Sequence, residues 1–129
     1  MPAGIRIERE ERDVAIVVLA GEQESYQSAR LAPQLDELLD DAVAVVVDLS
    51  HATFVDSTTI AVLLSGQREA QRRGVGFVLE MDPSTAIYAR RIFEITGLGS
   101  LFSIHERRED ALAAARAGQA GARPEAEPA

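Results

Sequence analysis

A short run of acidic and hydroxyl side chains, Asp56-Ser57-Thr58, is the part of the sequence best suited to chemistry. It precedes the apolar residues of a predicted helix, so Asp56 or Ser57 can accept a hydrogen bond from the free N–H groups of the first turn. Alternatively, Ser57 is a regulated phosphoacceptor, because the helix dipole stabilises a phosphate at this position and the phosphate adds negative charge beside Asp56. Thr58 is a second candidate acceptor. The residues alone leave both interpretations open.

Asp48 is a second acidic candidate, because it follows a buried β-branched run at the position where α/β sheets often bind ligands. A receiver-type phosphorylation site there would also need a lysine, and the chain has none. Asp48 is therefore predicted to cap a turn or to mark the end of the strand. The pairs Gly74-Val75-Gly76 and Gly97-Leu98-Gly99 lack the third glycine of a dinucleotide-binding loop and are predicted to end helices.

The composition excludes several classes of function. The 129 residues include no cysteine and no lysine, which rules out disulfides, thiolate metal sites, Schiff bases and lysine-dependent phosphate loops. His51 and His105 are not spaced to share a metal ion, and we predict no metal and no cofactor. A net charge of −8 disfavours nucleic acid as a partner. No signal-sequence pattern or membrane-spanning apolar run is present, and we expect a cytoplasmic protein.

The elements that position these residues alternate between strands and helices. An N-terminal hairpin followed by helix–strand crossovers predicts one α/β domain with a mixed sheet of four to five strands and about four helices. We place the domain at 1–117 and a disordered C-terminal tail at 118–129. The predicted segments are a hairpin over 5–19 that ends at Gly21, helix 28–40, strand 44–49, a helix from Asp56 to Gly74, strand 75–81, a helix capped by Asp82-Pro83 that ends at Gly97, a short strand over 102–105 and helix 108–117.

Several segments occur together at characteristic separations. They are Val45–Ser50, Thr53–Ser57, Asp82-Pro83-Ser84 and Phe93–Leu98, with Gly21-Glu22 after the second strand. This arrangement resembles the STAS domain of bacterial anti-sigma factor antagonists over roughly residues 5–117. The resemblance implies a STAS-like fold.

The resemblance also implies a protein-binding switch. Unphosphorylated family members bind an anti-sigma factor, usually a serine kinase, and so free a sigma factor. Phosphorylation of the serine after the aspartate breaks the complex, and a PP2C-type phosphatase reverses it. Applied to this chain, the resemblance makes Ser57 the phosphoacceptor of a protein that is not itself an enzyme. We expect a monomer or weak dimer. The implied partner-binding residues are Glu22, Glu24, Asp56, Ser57, Thr58 and Thr59.

Two residues depart from the family pattern, because Thr59 and Ala61 stand where glycines are common. A side chain at either position limits close backbone approach by a partner. The departures leave a second interpretation open, in which the protein is a STAS scaffold or adaptor subunit similar to stressosome proteins or lipid-transport accessory subunits. In that case Ser57 only caps the helix. An enzyme or small-ligand binder would need convergent polar groups in a pocket, and the sequence offers only scattered carboxylates.

Overall fold

The computed structural model describes residues 4–23 and 25–121 of the chain. Its elements are β1 (Gly4–Glu10), β2 (Val14–Gln23), α1 (Ser25–Asp40), β3 (Ala44–Val55), α2 (Ser57–Arg73), β4 (Phe77–Glu80), α3 (Ile87–Thr96), a 3-10 turn (Leu98–Ser100), β5 (Ile104–His105) and α4 (Arg108–Arg116). Within the described residues there are five strands and four helices, which confirms the predicted α/β class.

The five strands form one mixed sheet in the order β1-β2-β3-β4-β5. β1 is antiparallel to β2, and the other neighbouring strands are parallel. Helices α1, α2 and α3 cover one face of the sheet and α4 covers the other. Side chains on both faces of β3 are therefore buried, as at Val45 and Val46, and this explains its unbroken β-branched run.

β2 and β3 are both longer than predicted. β3 runs on to Val55 instead of ending near residue 49, and β2 continues beyond Gly21 to Gln23. Gly21 has a φ of 73°, and the pairing register shifts between Gly21 and Glu22, so the glycine allows an irregularity within the strand instead of ending it. The extended strands pair Gln23 with Val55 and so bring the end of β2 beside the start of α2.

Glycines end two helices as predicted. Gly74 and Gly97 both adopt left-handed backbone conformations after α2 and α3. The predicted start of α3 at Asp82-Pro83 is wrong. The Asp82 carboxylate accepts hydrogen bonds from the N–H and hydroxyl of Ser84, which forms a separate turn, and the helix begins only at Ile87.

The chain after α4 lies against the edge of β4. The Phe77 N–H donates to the Gln119 carbonyl oxygen at 2.8 Å, and Ala120 forms a parallel bridge with Phe77. Gln71 Nε2 donates to the Ala120 carbonyl oxygen at 2.6 Å. Residues 118–121 were predicted to be part of a disordered tail, but their hydrogen bonds to Phe77 and Gln71 make them part of the packed domain. The remainder of that predicted tail, 122–129, lies outside the described residues.

Candidate functional site

Asp56 is the N-cap of α2. Its backbone is extended, with a φ of −90° and a ψ of 174°, and one carboxylate oxygen accepts two hydrogen bonds from Thr59. These bonds come from the Thr59 N–H and hydroxyl, each at 2.8 Å. Of the two candidate caps, the structure therefore uses Asp56, and the Ser57 hydroxyl is not required for this role.

The cap is joined to the end of β2 through the backbone of Gln23. The Gln23 carbonyl oxygen accepts a hydrogen bond from the Asp56 N–H at 3.1 Å and lies 3.2 Å from the Thr59 hydroxyl. Two chain segments that are far apart in sequence thus hold the first turn of α2 in place. Sequence reasoning missed Gln23, because its contribution is a carbonyl oxygen that any residue type possesses.

Ser57 and Thr58 are both exposed in the first turn of α2. The Ser57 hydroxyl lies near the free N–H groups of the helix N-terminus, where a negatively charged group is stabilised. Thr58 lies at one end of a groove of about 250 Å³ between α1 and α2, which is lined mainly by small or apolar side chains such as Ala61 and Val62. The structure therefore presents two adjacent hydroxyl groups to solvent.

Thr59 does not belong to this exposed surface. Its side chain is completely buried and its hydroxyl is within hydrogen-bond distance of Asp56 and Gln23. The prediction that Thr59 contacts a partner is therefore not supported by its position, and its role in the structure is to fix the cap. A glycine at this position could not supply that hydroxyl.

Glu22 is exposed on β2 and pairs in register with Phe54, two residues before Asp56. Glu24, the other acidic residue predicted in this loop, lies outside the described residues. The ring of Phe54 packs against Tyr88 of α3 with centroids 5.7 Å apart. The site thus combines two exposed hydroxyls with the carboxylates of Glu22 and Asp56. The strand beside it contacts α3 through Phe54.

Asp48 lies apart from this surface in a buried ion-pair cluster. Its carboxylate accepts hydrogen bonds from Arg108 Nη2 and from the Ser50 N–H, both at 2.9 Å. Arg108 Nε also donates to Glu80 at 2.6 Å, so one guanidinium joins two nearly buried carboxylates. Burial raises the pKa of Glu80, and the hydrogen bond from Arg108 partly opposes this rise. Asp48 does not mark the end of its strand as predicted, since β3 continues to Val55.

Ser103 and His105 form a hydrogen-bonded pair at the β5 edge of the sheet. The Ser103 hydroxyl donates to Gln119 Oε1 at 2.9 Å and lies 3.0 Å from His105 Nε2. Ser103 therefore links β5 to Gln119 in the segment after α4.

Within 4–23 and 25–121, no group of three or more acidic or histidine side chains is placed to hold a metal ion. In the same part of the chain, no helix has the length and hydropathy needed to span a bilayer.

The chain is similar to known proteins over most of its length. A family model described as "Mlab, STAS domain" matches residues 7–104. The anti-sigma-B factor antagonist of Listeria monocytogenes is 28% identical over 109 residues, which cover 81% of this chain and 90% of that protein.

Two solved structures share the fold. An anti-sigma factor antagonist from Mycobacterium paratuberculosis is 24% identical with a TM-score of 0.75, and the match covers 89% of this chain and 95% of that one. The Bacillus cell fate determinant SpoIIAA in its phosphorylated form is 19% identical with a TM-score of 0.65, over 85% of this chain and 97% of that one. Because the family model spans most of the domain that carries the capped helix and its two hydroxyls, the chain belongs to the STAS domain family.

Proposed function

We propose that this protein is an anti-sigma factor antagonist whose binding to an anti-sigma factor serine kinase is switched off by phosphorylation of Ser57. The observation that carries the proposal is the exposed Ser57 hydroxyl in the first turn of α2, beside a cap that Asp56 already supplies. The names of the Listeria and Mycobacterium relatives support the antagonist role. The phosphorylated form of the Bacillus relative supports regulation by phosphate.

The kinase would transfer the terminal phosphoryl group of ATP to Ser57 Oγ, with loss of the hydroxyl proton and release of ADP. A PP2C-type phosphatase would then use water to restore the hydroxyl and release inorganic phosphate. In this scheme the protein is the substrate of both enzymes. We expect it to have no catalytic activity of its own, to need no cofactor, to bind no nucleic acid directly and to act in the cytoplasm.

The position of Ser57 explains how a phosphate could block binding without unfolding the domain. The phosphate would carry a charge of about −1.5 to −2 and would be stabilised by the N-terminus of α2. A partner that covers this turn would have to bury that charge next to Asp56 and Glu22. Leaving a charge buried and unpaired in an interface costs about 2–5 kcal/mol, so affinity should fall by at least about thirtyfold.

We place the partner-binding surface at Glu22, Asp56, Ser57 and Thr58. Glu22 and the two hydroxyl residues are exposed, and Asp56 is partly exposed. Glu24 adjoins this surface in sequence and remains part of the proposal. Thr59 is left out because its side chain is buried.

The test combines the purified protein with the anti-sigma factor kinase and ATP, followed by mass spectrometry and binding measurements. We expect one phosphate on Ser57 and loss of binding after phosphorylation. Ser57→Ala should bind the kinase and resist release, whereas Ser57→Glu should bind weakly. Thr58→Ala separates the two hydroxyls: it should still take up phosphate and lose kinase binding after phosphorylation, whereas a Thr58→Ala variant that takes up no phosphate would make Thr58 the acceptor. Equal affinity of the wild type and both Ser57 variants, with no phosphate transferred, would contradict the switch.

A STAS scaffold or adaptor subunit is the second candidate. The buried Thr59 favours it, because its side chain replaces a glycine common in the phosphorylated antagonists and ties the cap to β2. The description of the matching family model names Mlab beside the STAS domain and no anti-sigma factor antagonist, which is a second reason to retain this candidate. In this case a partner would bind the same surface, Ser57 would remain unphosphorylated, and ATP would not release the complex.

A further inference from the structure

The α1–α2 groove opens beside the proposed partner-binding surface. It lies between the two helices, has a volume of about 250 Å³ and is walled mainly by apolar side chains, among them Leu35 of α1 and Ala61 and Val62 of α2. Thr58 stands at one end of the groove and belongs to both surfaces. A partner that covers Ser57 and Thr58 therefore also covers this end of the groove.

The groove suits a side chain of a protein better than a free small molecule. Pockets that bury drug-sized ligands usually enclose about 300–1,000 Å³, and this groove is smaller. It is also open to water along α2, because Ala61 and Ser65 are both exposed. Protein interfaces concentrate their binding energy in a few anchor side chains that fill such hollows. We therefore expect a single apolar anchor in the groove.

The charge of the groove favours a basic partner. Among the described residues that line it, Asp36 is the only charged one, and its side chain is exposed. Asp36 makes no ion pair with any other described residue. Arg73 lies near enough to feel its charge, but this guanidinium is already bonded to Asp40 and Glu69. The carboxylate of Asp36 is thus available to a cation from outside the domain.

We propose that one apolar side chain of the anti-sigma factor kinase fills the α1–α2 groove and that a neighbouring basic residue of the kinase pairs with Asp36. The inference rests on the proposed function, because it requires the kinase to cover Ser57 and Thr58. A second copy of this chain fits the groove less well, since each copy carries a net charge of −8. In this scheme the groove supplies affinity, and Ser57 supplies the control that ends the complex.

Filling the groove from within tests the anchor. Ala61→Leu places a larger apolar side chain in the groove and keeps a strong helix former at an exposed position of α2. Its affinity for the kinase should fall by at least about tenfold. Isothermal titration calorimetry with a non-hydrolysable ATP analogue measures the affinity without phosphate transfer. Ala113→Leu is the matched control, because it makes the same change at an exposed position of α4, on the other face of the sheet, and should leave the affinity unchanged.

Reversing the charge at Asp36 tests the ion pair. Asp36→Lys should lower the affinity for the kinase by about threefold to tenfold and make binding less sensitive to salt, because the pair with the basic residue is lost. Glu37→Lys is the matched control, since it makes the same charge change at the next position of α1, which is exposed and does not line the groove. It alters the long-range attraction equally and should lower the affinity by less than about twofold.

The chain has no cysteine, so the groove can be followed by chemical footprinting. Ser65→Cys introduces a single thiol among the lining residues, and Ala113→Cys introduces one on α4 as a control. N-ethylmaleimide should label both thiols in the free protein. Saturating kinase should slow the labelling of Ser65→Cys in proportion to the bound fraction and leave that of Ala113→Cys unchanged, as read by mass spectrometry of this chain.

The outcomes separate this inference from the proposed function. Circular dichroism shows whether each variant is folded, and all the substituted positions are exposed. A wild type that does not bind the kinase would overturn both. If the wild type binds and Ser57→Glu weakens binding, then normal binding by Ala61→Leu, or continued labelling of Ser65→Cys in the complex, overturns the groove inference alone.

Other occupants of the groove would be revealed by the free protein. If Ser65→Cys is labelled more slowly than Ala113→Cys without the kinase, and dilution relieves the difference, a second copy fills the groove. If removal of residues 122–129 relieves it instead, the end of this chain does. Either result would overturn the inference, because the groove would then be occupied before the kinase binds.

Discussion

Two aspartates eight residues apart, Asp48 and Asp56, differ in burial and in their hydrogen-bond partners. Asp48 is 2% exposed and is held by Arg108, which it shares with Glu80. Asp56 is partly exposed and uses its carboxylate to cap α2 through Thr59. Asp48 therefore belongs to the interior of the fold. Asp56 lies at the surface, beside the exposed side chains of Ser57 and Thr58.

The environment of an acidic residue, more than its place after a buried strand, decides what it does. In the Asp48 cluster every charge has a partner, so removing one group leaves another unpaired in the interior. At the Asp56 cap the adjacent hydroxyls face water, so a charge can be added to Ser57 without disturbing the interior. Single substitutions in the two regions should therefore change the free energy of unfolding by different amounts.

The largest effect is expected when the shared guanidinium is removed from the buried cluster. Arg108→Ala should lower the free energy of unfolding by about 2–3 kcal/mol, because two nearly buried carboxylates lose their countercharge. Urea unfolding at neutral pH measures the change. Arg107→Ala is the matched control and should cost less than about 0.5 kcal/mol, since its ion pair with Glu109 is exposed. Similar losses of unfolding free energy in Arg108→Ala and Arg107→Ala would mean that the buried cluster stabilises the fold no more than an exposed ion pair does.

An intermediate effect is expected at the cap. Asp56→Ala should destabilise the domain by about 1 kcal/mol, because the Thr59 N–H and hydroxyl lose their acceptor. Asp56→Asn keeps an oxygen in the same position and should cost only a few tenths of a kcal/mol. Both values come from the same urea unfolding assay. Equal losses in the two variants would mean that the charge, and not the hydrogen bond, stabilises α2.

A smaller effect, visible mainly as a pH dependence, is expected at Glu80. Burial raises the pKa of this carboxyl above its ordinary value of 4.5, so the folded state binds its proton more tightly than the unfolded state does. The stability that it contributes is therefore present below pH 4.5 and is lost as the pH rises through the folded pKa. Glu80→Gln cannot ionise and should become more stable relative to the wild type over this interval.

Urea unfolding at a series of pH values from about 4 upward measures this difference in the free energy of unfolding. The exposed Glu109→Gln on α4 is the control for removal of one negative charge. A difference between Glu80→Gln and the wild type that does not change with pH would show that Arg108 compensates for the burial of Glu80 completely.

The smallest effect on stability is expected at Ser57. Ser57→Glu and Ser57→Ala should both change the free energy of unfolding by less than about 0.5 kcal/mol, because the side chain is exposed and a carboxylate in the first turn is favoured by the helix dipole. Differential scanning calorimetry and urea unfolding measure the change. A loss of 1 kcal/mol or more in Ser57→Glu would indicate that charge at this position weakens the fold itself, contrary to the proposed switch.

The sequence was most informative where one residue type determines local geometry. The Asp56 cap and the helix ends at Gly74 and Gly97 follow from side-chain chemistry and backbone freedom that act over a few residues. The alternation of strands and helices gave the sheet type and the approximate number of elements. These features required no knowledge of distant contacts.

Other features depended on contacts that a local pattern cannot contain. Asp82-Pro83 matches a helix start, yet the Asp82 side chain forms a turn with Ser84 instead. Arg108 reaches Asp48 across 60 positions of the chain, so neither residue alone indicates the cluster. The burial of Thr59 likewise depends on the end of β2 lying beside α2.

The short segment after α4 has a consequence for how the chain can be shortened. Gln119 and Ala120 cover part of the edge of β4, where the Phe77 N–H would otherwise face solvent. Exposed strand edges recruit further strands, and natural proteins protect them for this reason. A protein truncated at Ala117 should therefore be prone to edge-to-edge aggregation, even though its core and its capped helix are intact.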